Sequence, residues 1–201
     1  LKKDLKNIGY QFLNDSDTEV ILAAYDFYGE KCLSYFDGMF AFAIWDAKEQ
    51  TLFAARDRFG EKPFYYYSEK GLFAFASEMK ALWEVGVPRN VDDKMILNYL
   101  TLGTVQNPAD KSQTFFQHIS SLLPSHYLLL DTKLNKFSLT KYWDLDRQNQ
   151  PPIPGKNYLG IFTELLSDSV NKRLRSDVQM GSSLSGGLDS SSIVALASQL
   201  L

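Results

Sequence analysis

Hydrophobic and polar positions follow two different periods along this chain. Leu1 to Asn7 reads as a helix end closed by Gly9, a usual C-cap residue. Tyr10-Gln11-Phe12-Leu13 is a short extended piece. Ser16-Asp17-Thr18-Glu19 has the spacing of a capping box and predicts a helix start. Val20, Ile21, Ala24, Phe27 and Tyr28 follow at helical spacing as far as Gly29, and Lys31 to Phe36 adds a helical turn. From Gly38 the period changes. Gly38 to Asp46 is dense in apolar and aromatic residues, which predicts a strand buried on both faces. Ala47 to Gln50 makes a turn and Thr51 to Asp57 a second strand, so the two form a hairpin. Arg58 to Pro63 is a loop, and Phe64 to Tyr67 and Leu72 to Ala76 are two further strands. Ser77 is expected to cap a helix through Trp83. Four successive antiparallel strands with helices before and after predict a layered α+β domain.

The second half is punctuated differently. Val91 to about Thr104 reads as a helix with Asp92 or Asp93 at its start. Tyr127 to Asp131 and Lys136 to Tyr142 read as a hairpin. Pro151, Pro152 and Pro154 exclude helix and central strand. Residues 147–156 are therefore the expected linker between a domain over 1–146 and a second over 157–201. Tyr158 to Leu174 predicts an amphipathic helix with Leu159, Phe162, Leu165, Leu166 and Val170 on one face. Val178 to Leu184 can form a short strand, and Ser192 to Leu201 reads as a helix.

Between that strand and that helix lies Ser185-Gly186-Gly187-Leu188-Asp189-Ser190-Ser191. The first amides of a helix lack internal partners and the helix dipole favours negative charge there, so the loop is placed to receive an anion. The glycine pair lets backbone approach a phosphate without a Cβ in the way. Asp189 beside a phosphate implies an intervening cation, and Mg²⁺ prefers carboxylate and phosphate oxygens. The loop is neither a dinucleotide fingerprint nor a Walker A motif. Ser-Gly-Gly-Leu-Asp-Ser-Ser resembles the PP-loop of ATP pyrophosphatases. With Ser176-Asp177-Val178 and Gly181 before it, the segment is most similar to the glutamine-hydrolysing asparagine synthetases. Gln179 and Met180 stand where that family usually has Pro-Val.

A second resemblance is independent of the first. Gly38 to Asp46, then Ala55-Arg56-Asp57-Arg58-Phe59-Gly60-Glu61-Lys62-Pro63, then Phe75 to Leu82, is similar to class II glutamine amidotransferase domains. This resemblance implies an N-terminal-nucleophile-hydrolase-type αββα sandwich, here incomplete, followed by the first βα unit of an α/β PP-loop domain. Glu61 replaces a usually apolar residue, so its loop is expected to be more exposed. Ser125 replaces the glycine of the family's Pro-Gly-His.

Composition narrows the picture. A net charge of −3 points to no nucleic-acid surface, and a single cysteine excludes an internal disulfide framework. No apolar run approaches a membrane span and no signal peptide is visible, so a cytoplasmic protein is expected. The chain starts inside one apparent helix and stops inside another, which reads as an internal fragment. Arg56 and Asp57, at the end of a buried strand, are expected to form a structural ion pair. Cys32 has no activating neighbour in sequence, and His118 and His126 are too isolated for a metal site, so all three read as structural.

The resemblance implies the remaining roles. Asp17 binds the α-amino group of glutamine. Ser185, Gly186, Gly187, Asp189 and Ser190 hold the pyrophosphate portion of ATP, with Leu184 beside the nucleoside. No residue of this chain matches the family's cysteine nucleophile, so the fragment alone is expected not to hydrolyse glutamine. In the complete enzyme, glutamine-derived ammonia attacks β-aspartyl-AMP, giving asparagine, AMP and pyrophosphate; a homodimer is left open. Two alternatives stay open. One is a relative with another acceptor, such as a β-lactam synthetase, a peptide-maturation cyclase or a polysaccharide amidotransferase. The other is a non-catalytic nucleotide-binding domain.

Overall fold

The computed structural model describes residues 1–134, 136–146 and 157–201. The expected linker therefore lies outside the described residues. The chain divides into two compact units, Leu1–Leu145 and Asp146–Leu201.

The first unit opens with two helices, α1 (Lys2–Asn7) and α2 (Asp17–Tyr28), and a 3₁₀ turn over Gly29–Tyr35. Strands β1 (Ala41–Asp46) and β2 (Thr51–Arg56) form the expected hairpin, and so do β3 (Tyr65–Glu69) and β4 (Leu72–Ala76). The hairpins belong to different sheets. One has the order β1-β2-β6-β7, with β6 at His126–Asp131 and β7 at Lys136–Lys141. The other has the order β4-β3-β5, with β5 at Ile119–Ser121.

Strand alternation builds the layers, because successive side chains point to opposite faces. On β2, Phe53 and Ala55 face the helices, where they meet Leu5, Ala24, Cys32 and Leu33. Tyr25 stacks on Phe53 with ring centroids 4.6 Å apart. Leu52 and Ala54 face the other way and join Leu128 and Leu130 of β6 against Phe64 and Tyr66. The far face of the second sheet, with Tyr67 and Ile119, is covered by Leu82 and Val87. Leu82 belongs to α3 (Met79–Trp83). The order is thus helix, sheet, sheet, helix.

Three local expectations change. Gly38 to Asp46 is not buried on both faces: β1 is an edge strand and Trp45 is half exposed. Ser77 does not cap α3; Glu78 is the N-cap, without a side-chain bond, and it pairs with Lys80 instead. The later helix, α4, covers Asp93–Leu102, and Val91 lies outside it. Asp92 is its N-cap, accepting from the amides of Lys94 and Met95 at 3.0 and 3.1 Å.

The second unit contains α5 (Tyr158–Arg173) and α6 (Leu188–Leu200). The helix expected over 158–174 is present, and one expectation fails here. Residues 178–184 form no strand: they have no ladder partner among the described residues, and a strand without one leaves its amides and carbonyls unpaired. On the predicted apolar face of α5, only Val170 is buried, while Leu159, Phe162 and Leu165 stay exposed. No helix among the described residues is long and apolar enough to cross a membrane.

Candidate functional site

Asp17 is the first residue of α2 and is exposed. Ser16 caps the helix, accepting the Thr18 amide at 3.2 Å. Glu19 does not complete an ordinary capping box. Its carboxylate reaches beyond the cap to the amides of Leu13 and Asn14, at 3.0 and 3.3 Å. Asn14 supplies the bond to Ser16 instead, its Oδ1 accepting that amide at 2.7 Å. The string Asn14-Asp15-Ser16 carried a signal for this, since Asx side chains bond the backbone two residues on; the capping-box spacing hid it.

Arg56 and Asp57 do not pair with each other. Asp57 is fully buried, and its carboxylate accepts four backbone amides. Those of Phe59 and Glu61 reach Oδ1 at 3.1 and 2.9 Å. Those of Phe40 and Lys62 reach Oδ2 at 3.3 and 2.9 Å. Arg56 satisfies the opposite polarity. Its guanidinium donates to the carbonyls of Lys62, Leu122 and Gly60 at 2.6, 2.6 and 2.7 Å, and to Ser121 Oγ at 3.0 Å. Burial lowers the Arg56 pKa, and the nearby Asp57 charge opposes that shift. The expected ion pair is replaced by a division of labour: Asp57 holds the amides of the loop from Arg58 to Pro63, and Arg56 holds its carbonyls. Gly60 lies between them at φ +70°, where a Cβ would sit 2.7 Å from Pro124 Cγ. Glu61 is exposed on this loop, as expected.

Ser125 also adopts a left-handed backbone, with φ +62°, while buried. Its amide donates to Asp57 O at 2.9 Å and its hydroxyl to Arg58 O at 2.8 Å. A serine thus replaces the expected glycine and compensates with a side-chain bond. His118 pairs with Glu69 and His126 Nδ1 lies 2.8 Å from Pro124 O. Cys32 is fully buried and its thiol is pushed up to about 12 by burial, with the Glu30 charge adding. A thiol in that state does not supply a nucleophile.

In the second unit α6 begins at Leu188, four residues earlier than expected, so Leu188, Asp189, Ser190 and Ser191 form its first turn. Gly186 has φ +79° and Gly187 is the N-cap, which supplies no side chain to the helix amides. Ser185 Oγ and Ser190 Oγ are 2.9 Å apart, and Ser190 Oγ donates to Gly187 O at 3.1 Å. The hydroxyls thus bind each other and the loop carbonyl, while Leu184 to Asp189 stay exposed. No group of three or more metal-ligating side chains occurs among the described residues. Asp189 and the two hydroxyls are hard-oxygen donors of the kind that Mg²⁺ takes, too few for an all-protein cage.

Within the first unit, a cavity of about 820 Å³ lies at the end of the two sheets, lined by Trp45, Leu52, Glu69, Phe73 and Phe137. Its walls are mainly apolar and include neither Asp17 nor the Arg56–Asp57 loop.

Comparisons with known proteins follow the same division. A glutamine amidotransferase domain model matches residues 1–143 and an asparagine synthase model matches residues 162–201. An asparagine synthetase [glutamine-hydrolyzing] 3 of Bacillus subtilis is 37% identical over 98% of this chain and 31% of its own length. A putative asparagine synthetase [glutamine-hydrolyzing] 2 of Methanocaldococcus jannaschii is 36% identical over 90% of this chain and 35% of its own. The amidase chyE of Penicillium rubens is 34% identical over 96% of this chain and 28% of its own. The chain spans about a third of the length of these relatives.

Proposed function

The chain belongs to the glutamine amidotransferase domain family, and from that premise we propose that the protein carrying it is a glutamine-hydrolysing asparagine synthetase. The observation that carries the reading is the succession on one chain of an amidotransferase-type layered unit and a Gly-Gly-Leu-Asp-Ser loop opening a helix. The first unit is of the N-terminal-nucleophile hydrolase type and serves to release ammonia from glutamine. The second is the start of a PP-loop domain that spends ATP on activating the side-chain carboxylate of aspartate.

In this reading Asp17 takes the α-ammonium group of glutamine. Its exposed place in the first turn of α2 supports this role. Ser185, Gly186, Gly187, Asp189 and Ser190 hold the pyrophosphate portion of ATP, and Leu184 lies beside the nucleoside. The first-turn amides of α6 act as fixed donors to the charge that develops on the leaving pyrophosphate, which is the main electrostatic contribution such a loop makes. Asp189 would hold Mg²⁺ at this loop, and the ion would supply positive charge to the phosphates. Ammonia then attacks β-aspartyl-AMP, releasing asparagine and AMP. A cytoplasmic location goes with this chemistry.

Incubating the full-length protein with aspartate, glutamine and Mg-ATP tests the proposal. Asparagine, glutamate, AMP and pyrophosphate in equal amounts are expected. ATP cleavage to ADP, or no aspartate-dependent AMP, refutes it. The relative named an amidase favours a second reading, in which the same two units serve another carboxylate acceptor. That reading predicts AMP formation with a different acid and none with aspartate.

A further inference from the structure

The direction of the Asp17 carboxylate depends on how the chain enters α2, and that entry is held by more bonds than a helix cap requires. Ser16 alone satisfies the capping role. Glu19 adds a second tier. Its Oε2 accepts the amides of Leu13 and Asn14, and its Oε1 accepts Asn14 Nδ2 at 3.2 Å. Asn14 Oδ1 passes the constraint on to the Ser16 amide. Lys2 closes the turn from α1, donating to Asn14 O and pairing with Asp15, both at 2.7 Å.

Asp17 sits inside this ring of bonds and takes no part in it. No hydrogen bond or ion pair engages its carboxylate among the described residues, whereas Asp15, Ser16 and Glu19 on either side are all committed. A site in which one carboxylate is left exposed while its neighbours fix the backbone beneath it is pre-organised for a cationic group. Anchoring residues 13 and 14 goes beyond what capping α2 requires.

We infer that Glu19 is a positioning residue for glutamine binding. Acting through Asn14, it holds the turn over residues 13–16 and so sets where the Asp17 carboxylate meets the substrate ammonium. The inference rests on the reading of Asp17 given above.

Steady-state glutamine hydrolysis by the full-length protein separates the two. Glu19→Ala is expected to raise KM for glutamine about tenfold, the loss of roughly one charge-assisted hydrogen bond in the bound state, with kcat within about threefold. Glu19→Gln keeps one acceptor oxygen for the two backbone amides and is expected to restore KM to within about threefold of the parent. A fall in kcat with KM unchanged in Glu19→Ala is what a purely structural role gives, and it overturns the inference. Asn14→Ala removes the relay while leaving Glu19 on both amides; it should raise KM about threefold. An unchanged KM in Asn14→Ala overturns the inference even where Glu19→Ala does not fold. Asp17→Asn reports on the underlying reading. An unchanged KM there removes the glutamine contact itself. A rise above about tenfold in Asp17→Asn, without any rise in the Glu19 and Asn14 variants, leaves the contact standing and removes only the positioning role.

Discussion

Replacing Asp57 by Asn tests the central structural claim, that one buried carboxylate organises the loop from Arg58 to Pro63. The side chain is fully buried and each oxygen accepts two amides. Asparagine keeps one acceptor oxygen and turns the other into a donor. Two amides therefore keep a partner, and two face an NH₂ group that cannot accept. Hydrogen bonds to charged groups contribute about 1.5–3 kcal/mol each, so two lost bonds amount to about 3–6 kcal/mol. Removing a buried negative charge offsets part of this, because its desolvation cost disappears as well. A net loss of about 3 kcal/mol is expected, against a total stability of about 5–15 kcal/mol for a domain. Urea unfolding followed by circular dichroism reads it directly. With a slope of about 2 kcal/mol per molar, the midpoint should fall by about 1.5 M. Asp57→Ala, which strands all four amides, should fall further or fail to fold. A shift below about 0.3 M for Asp57→Asn would refute the reasoning, since such a value is typical of surface substitutions.

Three further outcomes follow from the same geometry. Ser125→Ala should cost about 1 kcal/mol, because it loses the bond to Arg58 O and keeps the left-handed backbone; Ser125→Gly should be close to neutral, since relief at φ +62° offsets the lost bond. Thermal midpoints of the two variants check this, and equal destabilisation would contradict it. Burial pushes the Cys32 thiol and the Tyr142 phenol up to about 12. Both groups lose their protons at lower pH when unfolded, so their stabilisation is complete below the ordinary thiol and phenol values and is lost as pH rises toward 12. Urea midpoints should therefore decline between about pH 9 and 12, and less steeply in Tyr142→Phe. Finally, Asp189→Asn in the full-length protein should lower aspartate-dependent AMP formation by about 10²-fold while sparing glutamine hydrolysis. Equal loss of both activities would show that the loop does not belong to the ATP half alone.

What could be read from the sequence, and what could not, follows from how local each feature is. The helix starting at Asp17 was legible because its apolar period fills twelve residues directly after its cap, and both hairpins were legible because their turns sit between adjacent apolar runs. The assignment of those hairpins to separate sheets was not, since it depends on β6 and β5, which come more than forty residues later. The Arg56–Asp57 pair failed for a related reason. Arg56 is the last residue of β2 and Asp57 the first beyond it, so their side chains leave the chain in different directions and adjacency in sequence says little about pairing in space. Each found backbone partners that no local pattern announces, including Leu122 O and Phe40 N. The strand expected over 178–184 shows the limit most plainly. A helix satisfies its own amides, so α6 can form from its own residues; a strand is a relation between two segments, and residues 178–184 have no ladder partner among the described residues. The loop from Ser185 to Ser190 therefore rests on the helix side alone. That is also the side that carries its proposed chemistry, because the free amides and Asp189 belong to the first turn of α6 and not to the segment before it.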